Sequence, residues 1–396
     1  MTTSTSAGRL SVRDHRPYGL LAGCFIISMG INAYFIAPAS VVPLLTDIYG
    51  INKATAGLAV SVPILGSVLL QIPGGFLMDR YDNRRLLFWA LVGFVLTTMV
   101  GLIVTSYTTW LATRFTAGIC AIFLFTMGAK VITETFPPAK QGFATTVFTA
   151  SAPMGIALGQ FGTPRLVNVV GFSTSFAVYA VVSTIGYSLF YSSTPTPIHS
   201  GSDVEPGVIR RVLTDRRIVL MSISAACSYS LYFFLNSWMP TYGVEILSLP
   251  INRAGAIAAL VPIMGIFGRP GGGWLSDYFG TRRYVIVGAI AVTLPAFLAI
   301  TSAPTLLIFA LCLLLVGFVL QFAMGVYFVY VQELAEKGTG GTALAVFGAV
   351  GFSGSLVSPT VGGWLIDAFS WTTALVAYTF VGVAGIGATL LITRSN

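Results

Sequence analysis

The sequence predicts an all-α membrane protein of twelve transmembrane helices, arranged as two pseudo-symmetric bundles of six. Three observations lead there. The 396 residues are 55% hydrophobic and only 9% charged, where a soluble domain is about 25% charged. Apolar runs near or above the roughly 18–20 residues that cross a bilayer recur along the whole chain. The second half also repeats the first, with the motif of residues 71–85 returning at 269–283.

Taken in order, the first span, 18–40, follows a tail at 1–17 that holds Arg9, Arg13 and Arg16. It resembles a signal peptide only superficially, because the run is long and many others follow, so it reads as an uncleaved first crossing. The next five spans are 54–77, 86–105, 108–131, 142–164 and 169–191, which complete a first bundle at 18–191. A polar linker follows at 192–217, with Pro195, Pro197 and two basic pairs. The second bundle, 218–393, holds spans at 218–242, 254–275, 284–302, 304–330, 341–364 and 371–393. Each is expected to be helical, since in lipid the backbone must satisfy its own polar groups. Pro63, Pro153 and Pro262 are then kinks within spans.

Charge gives the orientation. With the N-terminus inside, the inner segments hold Arg9, Arg13, Arg16, Arg80, Arg84, Arg85, Lys140, Arg210, Arg211, Arg216, Arg217, Arg282, Arg283, Lys337 and Arg394. The outer segments hold only Lys53, Arg165 and Arg253. That bias satisfies the positive-inside rule and places both termini in the cytoplasm, in a multi-pass protein of the plasma membrane. The net charge of +8 therefore reports topology and no nucleic-acid partner. Cys24, Cys120, Cys227 and Cys312 all lie in apolar runs without metal-binding spacing and read as small packing residues. His15 and His199 sit in polar segments, so no metal site, cofactor site or acid–base pair is expected within the spans. An enzyme is accordingly not expected, and the chain is expected to act as a monomer.

The repeat is specific. "QIPGGFLMDRYDNRR" at 71–85 aligns with "RPGGGWLSDYFGTRR" at 269–283 at an offset of 198 residues. "INKA" at 51–54 aligns with "INRA" at 251–254 at an offset of 200, and the "VF" pairs at 147 and 346 align at 199. Two repeated six-helix halves suggest a transporter with a central site between them. The chain resembles the major facilitator superfamily over essentially its full length. That family's loop signature, G-x-L-x-D-R-x-G-R-R, is matched by "GGFLMDRYDNRR", with Asp82-Asn83 in place of the glycine. The second copy, "GGWLSDYFGTRR", keeps Gly280 but carries Tyr278 instead of the first arginine. Glycines 74–75 and 271–273 would allow close helix approach. The resemblance implies that Gly74, Gly75, Asp79, Arg80, Arg84 and Arg85, with Gly272, Gly273, Asp277, Arg282 and Arg283, form a conformational latch. A plain positive-inside anchor is the simpler alternative.

Three cations, Arg114, Lys130 and Arg269, fall inside spans, whereas no acid lies deep in one. A buried cation costs about 2.5–3.5 kcal/mol on insertion scales. Unpaired internal cations suggest that an anionic cargo supplies the missing charge, and arginine suits carboxylates and related oxyanions. Arg269 stands eight residues before Asp277, too deep to snorkel easily, and its repeat mate is Gln71. An arginine in the eighth helix, and the stretch "FFLNSWMPTYGVEI", resemble the anion-transporting branches, nitrate/nitrite and monocarboxylate carriers among them. Arg269 is the leading candidate contact for substrate, with helix bracing as the alternative. Arg114, in "WLATRFTAGIC", resembles a fourth-helix arginine tied to proton coupling in relatives, and snorkelling to the outer face is its alternative. Lys130 either pairs with Glu134 one turn away or gives an anion a second contact. By analogy with the family, further cavity candidates are Asn32 and Tyr34 in the first helix and Gln321 and Tyr327 in the tenth. Tyr229, Tyr232 and Asn236 join them on one face of the seventh.

The expected function is secondary transport of a small organic or inorganic anion by alternating access, with coupling to a proton or cation left open. The alternative is proton-coupled drug efflux. Exporters of that kind often carry G-x-x-x-G-P-x-x-G-G in helix five, which "ASAPMGIALG" matches poorly.

Overall fold

The computed structural model describes residues 16–194, 206–302, 305–336 and 339–392. Among the described residues there is no strand, and the helices form twelve rods. The first rod is α1 (Pro17–Ile36), a 3-10 turn (Ala37–Val41) and α2 (Val42–Tyr49); the second is α3 (Lys53–Leu69) with α4 (Gln71–Arg80). Next come α5 (Asn83–Ile103), α6 (Tyr107–Thr135), α7 (Pro138–Thr149) joined to α8 (Ser151–Val170), and α9 (Phe172–Ser193). A short helix, α10 (Pro206–Thr214), lies in the linker. The second half runs α11 (Arg216–Glu245), α12 (Ile251–Ala258) joined to α13 (Leu260–Tyr278), and α14 (Arg282–Ala299). It ends with α15 (Leu306–Leu334), α16 (Gly340–Gly351) joined to α17 (Ser353–Ala368), and α18 (Trp371–Leu390). Among the described residues, nine rods are long and apolar enough to cross a membrane.

Local chemistry sets the rod ends. The side chains of Asn52, Asp82, Asp215 and Ser370 accept from backbone amides at the starts of α3, α5, α11 and α18. Gly50 and Gly171 close rods with positive φ. The rods run past the expected spans: the seventh extends to Glu245 rather than 242, and the first to Tyr49 rather than 40. Hydropathy marks where lipid contact ends, whereas helical hydrogen bonding continues into the polar zone.

Backbone approach is closest where glycine removes the side chain. A Cβ on Gly118 would lie 2.0 Å from Pro63 O, locking α6 to α3, and one on Gly317 would lie 2.6 Å from Val261 O, locking α15 to α13. Gly118 and Gly317 are repeat mates, 199 residues apart, whereas Pro63 aligns with Pro262 in the repeated Val-Pro-Ile, so Val261 stands one position before the mate of Pro63. Gly272 makes a similar approach, 2.3 Å from Phe322 O, but Gly273 meets nothing within 4 Å. The expectation of close packing at residue 273 is therefore corrected: that glycine faces away from its neighbours.

The halves meet away from the linker. There α3 packs along α17, α8 along α12 and α13, and the 3-10 turn against α11. The two long seams are again repeat mates: a Cβ on Gly57 would sit 2.4 Å from Pro359 O, and one on Gly255 would sit 2.5 Å from Gln160 O. Toward the linker, α4 packs on α6, α7 on α6 and α1, and α16 on α11 and α15, so these pieces stay chiefly with their own half.

Gly118→Ala is expected to lower thermal stability by about 1–3 kcal/mol, because backbone rather than a flexible side chain must yield. Gly142→Ala, with nothing within 4 Å of the new methyl, serves as the neutral control. Melting of both purified variants in detergent checks this, and equal melting temperatures would remove the proposed close approach.

Candidate functional site

Arg269 sits where α13 and α15 are in backbone contact: a Cβ on Gly325 would lie 2.3 Å from Arg269 O. One turn earlier on α15, Gln321 occupies a slot left by Gly265 and Gly268, whose added Cβ atoms would each fall 2.8 Å from it. Arg269 Nε donates to Gln321 Oε1 at 2.8 Å. That bond fixes the amide, leaving Gln321 Nε2 buried without a hydrogen-bond partner. Arg269 Nη1 reaches Thr149 O of the other half at 3.4 Å. Thr149 ends α7, and its carbonyl would ordinarily bond the amide of residue 153, which is proline. The cation thus meets a carbonyl that a proline has freed, at the negative end of a helix. Among the described residues no carboxylate pairs with Arg269.

The chain of polar groups continues. Tyr229 and Tyr232 lie within electrostatic reach of Arg269, and Tyr232 also neighbours Gln321 and Asn236. Tyr232 Oη has no partner in hydrogen-bond geometry. Asn236 Nδ2 donates to Tyr232 O at 2.7 Å, and Asn236 Oδ1 accepts from Gln160 Nε2 at 3.1 Å. Gln160 Nε2 also donates to Asn236 O at 2.8 Å. That carbonyl too is freed by a proline, Pro240, four residues on. Because a carbonyl only accepts, the Gln160 amide is fixed, and its Oε1 is left unpaired. Three buried polar atoms along this one chain therefore lack a protein partner, each at a cost of about 1–3 kcal/mol.

Gln71 opens α4, and its Nε2 would lie 3.0 Å from a Cβ on Gly348 of the other half. Gly348 is the repeat mate of Thr149, just as Arg269 is of Gln71. The two repeats therefore approach each other at equivalent positions, with an arginine bonded across on one side and a glutamine close to the other half on the other.

The structure brings Arg269, Gln321, Tyr229, Tyr232 and Asn236 together and leaves other candidates elsewhere. Asn32 donates to Ser28 O on its own helix at 2.8 Å. Tyr34 packs edge-on against Phe94 within the first half. Tyr327 is fully buried, its hydroxyl between Ser224 at 2.9 Å and Ser228 at 2.8 Å. Arg114 is 0% exposed, so the snorkelling alternative fails. The side chains of Lys130, Glu134 and Asp79, and Gly75, lie outside the described residues.

The signature loops pair within their own halves. Arg282 bonds Asp277 and, at 3.0 Å, Glu333. Arg283 donates to Leu390 O, Arg85 lies 3.8 Å from Asp82, and Arg84 stacks over Tyr191 at 3.8 Å. Arg80 is exposed, and Gly74 faces the Phe123 ring.

Ion pairs join the halves at the opposite end, where sequence reasoning assigned no role. Lys53 Nζ lies 3.1 Å from Glu245 and 3.6 Å from Asp367. Asp367 Oδ2 also accepts from the amides of Lys53 at 2.6 Å and Ala54 at 3.2 Å. One half's carboxylate thereby caps a helix of the other. Thr149 and Gln160 were missed as well; prolines four residues after Thr149 and Asn236 were the available signal.

The model for the Major Facilitator Superfamily matches this chain over residues 20–359 and again over 273–396. The chain belongs to the major facilitator superfamily. It is a multi-pass membrane transporter of that superfamily. It is 27% identical over 325 residues to a probable nitrate/nitrite transporter, NarK2, of Mycobacterium tuberculosis, covering 80% of this chain and 81% of the relative. It is 24% identical over 272 residues to a probable galactarate/D-glucarate transporter, GudP, of Escherichia coli, covering 59% and 60%. A crystal structure of a bacterial homologue of the human lysosomal transporter Spinster, inward-facing and occupied, superposes with a TM-score of 0.77 at 15% identity, covering 96% of this chain and 94% of that one. Superfamily membership accounts for the duplicated rods and the paired loops.

Lys53→Glu would place three carboxylates together and is expected to loosen the seal by about 1 kcal/mol, roughly fivefold in population. Ser61, bonded across the seam to Thr360 at 3.0 Å, reports it: Ser61→Cys, with the four native cysteines replaced, should react correspondingly faster with an impermeant maleimide. An unchanged rate would show that these charges do not hold the seam.

Proposed function

We propose that this transporter carries a small organic or inorganic anion, a carboxylate or similar oxyanion, by alternating access between halves 18–191 and 218–393. The linker 192–217 and the tail 1–17 join and precede them. One observation carries the reading: Arg269 is a cation inside a rod whose described hydrogen-bond partners, Gln321 and the Thr149 carbonyl, are both neutral. Two contacts of that kind offset burial but leave the charge uncompensated, and an anionic solute completes it. The nearby unpaired Tyr232 Oη and Gln321 Nε2 are donors suited to the same solute. Relatives named for nitrate/nitrite and for galactarate/D-glucarate, all small anions, support this reading.

Gln71, on the other arm of the pseudo-two-fold, gives a neutral second contact, so the site is electrostatically one-sided. Asn32, Tyr34, Tyr327 and Lys130 are secondary in this reading. The positive-inside bias puts the linker end and both termini in the cytoplasm, and the Lys53 seam then closes the outer face. The signature loops, paired within each half, are the latch in its released form. Transport draws on the solute gradient or on a coupled proton or cation.

A thermal-shift series with nitrate, formate and D-glucarate tests the assignment on the parent protein and on Arg269→Gln. A substrate present at about a hundred times its Kd should stabilise the parent by about 2.7 kcal/mol and the variant by far less. Equal shifts in both proteins would take Arg269 out of the site.

A further inference from the structure

We infer that Arg114 is a positioning residue: it clamps backbone carbonyls that two prolines have freed, and so makes the first and second rods one rigid lever behind the seal. The guanidinium is fully buried and has no carboxylate partner among the described residues. Its Nε donates to Ala59 O at 2.7 Å, and its Nη2 donates to Tyr34 O at 3.1 Å and Phe35 O at 3.0 Å. These acceptors are not arbitrary. In an α-helix the carbonyl of residue i bonds the amide of residue i+4. For Tyr34 that residue is Pro38, and for Ala59 it is Pro63, and neither has an N–H. Phe35 O sits where α1 gives way to the 3-10 turn. One side chain on the fourth rod therefore supplies the donors that two proline-broken rods lack.

The surroundings suit a permanent cation. The guanidinium carbon lies 4.5 Å from the centre of the Tyr34 ring and 5.0 Å from that of Trp110, both negative π faces. The ionisable side chains facing it are the phenols of Tyr34 and Tyr107. The charge thus has carbonyl dipoles and rings around it, and no carboxylate among the described residues.

The elements it joins carry the seal. Beyond Tyr34 and Phe35, the 3-10 turn packs on α11 and α12 of the other half. Ala59 lies on α3, whose Gly57 meets Pro359 O and whose first residue, Lys53, meets Asp367 and Glu245. Rocking the halves requires these two surfaces to move together, although each is weakened by its own proline.

A double-mutant cycle tests this without knowing the cargo. Arg114→Gln is expected to lower the melting temperature of the purified protein by about 5 °C or more. It should also raise deuterium exchange in peptides covering 36–42 and 59–66 by about tenfold. In a Pro38→Ala, Pro63→Ala background, amides at 38 and 63 reclaim the two carbonyls. The same Arg114→Gln change should then cost less than about half as much, with both peptides protected again. Arg114→Lys, with one compact donor head, should fall between parent and Gln. If Arg114→Gln folds only in the proline-free background, that is the rescue in its strongest form. An equal loss in both backgrounds, or in neither, would overturn the clamp. So would failure of the proline-free protein to fold while Arg114 is present, since a carbonyl accepts both donors.

Discussion

Every backbone carbonyl inside a bilayer needs a donor, and in this protein proline repeatedly removes one. Where Pro38, Pro63, Pro153 and Pro240 withhold their amides, the carbonyls four residues earlier belong to Tyr34, Ala59, Thr149 and Asn236. Each receives a side-chain donor, from Arg114 twice, from Arg269 and from Gln160. These four prolines act alike. They expose acceptors at chosen depths, and the donors that reach them are long polar side chains from other rods. Two of these links stay within the first half and stiffen it. The other two cross between the halves.

The internal two-fold organises the rest and is broken at two places. Gly57 with Pro359, and Gly255 with Gln160, form equivalent seams. Gln71 against Gly348, and Arg269 against Thr149, form equivalent cross-half contacts nearer the linker. Yet one arm presents an amide and the other a cation. The Lys53 seam is also unequal, because Lys53 pairs with two carboxylates of the other half while its repeat mate Arg253 is exposed. A symmetric scaffold thus holds an asymmetric charge pattern.

Strength is distributed accordingly. Contacts between glycine and backbone within each half offer no soft group that can yield, so they define rigid units. The ion pairs of the seam are partly exposed and individually weak, of about 0.2–1 kcal/mol each. The halves thus resist deformation more than the seam between them does.

The sequence by itself determined the class, the rod order and the duplication, because hydropathy, charge bias and repeated motifs are local or periodic properties. It also marked Arg269, Gln321 and the Tyr232–Asn236 stripe, since a polar residue within an apolar run is visible without coordinates. Tertiary structure alone decided which of those polar residues meet. Asn32, Tyr34 and Tyr327 look like their neighbours in sequence, yet their side chains turn to Ser28, Phe94 and the Ser224–Ser228 pair. The Lys53 seam and the Arg114 clamp depend on residues about 50 to 310 positions apart. Proline shows from the sequence which carbonyl is freed, but only the packing of rods shows which donor arrives.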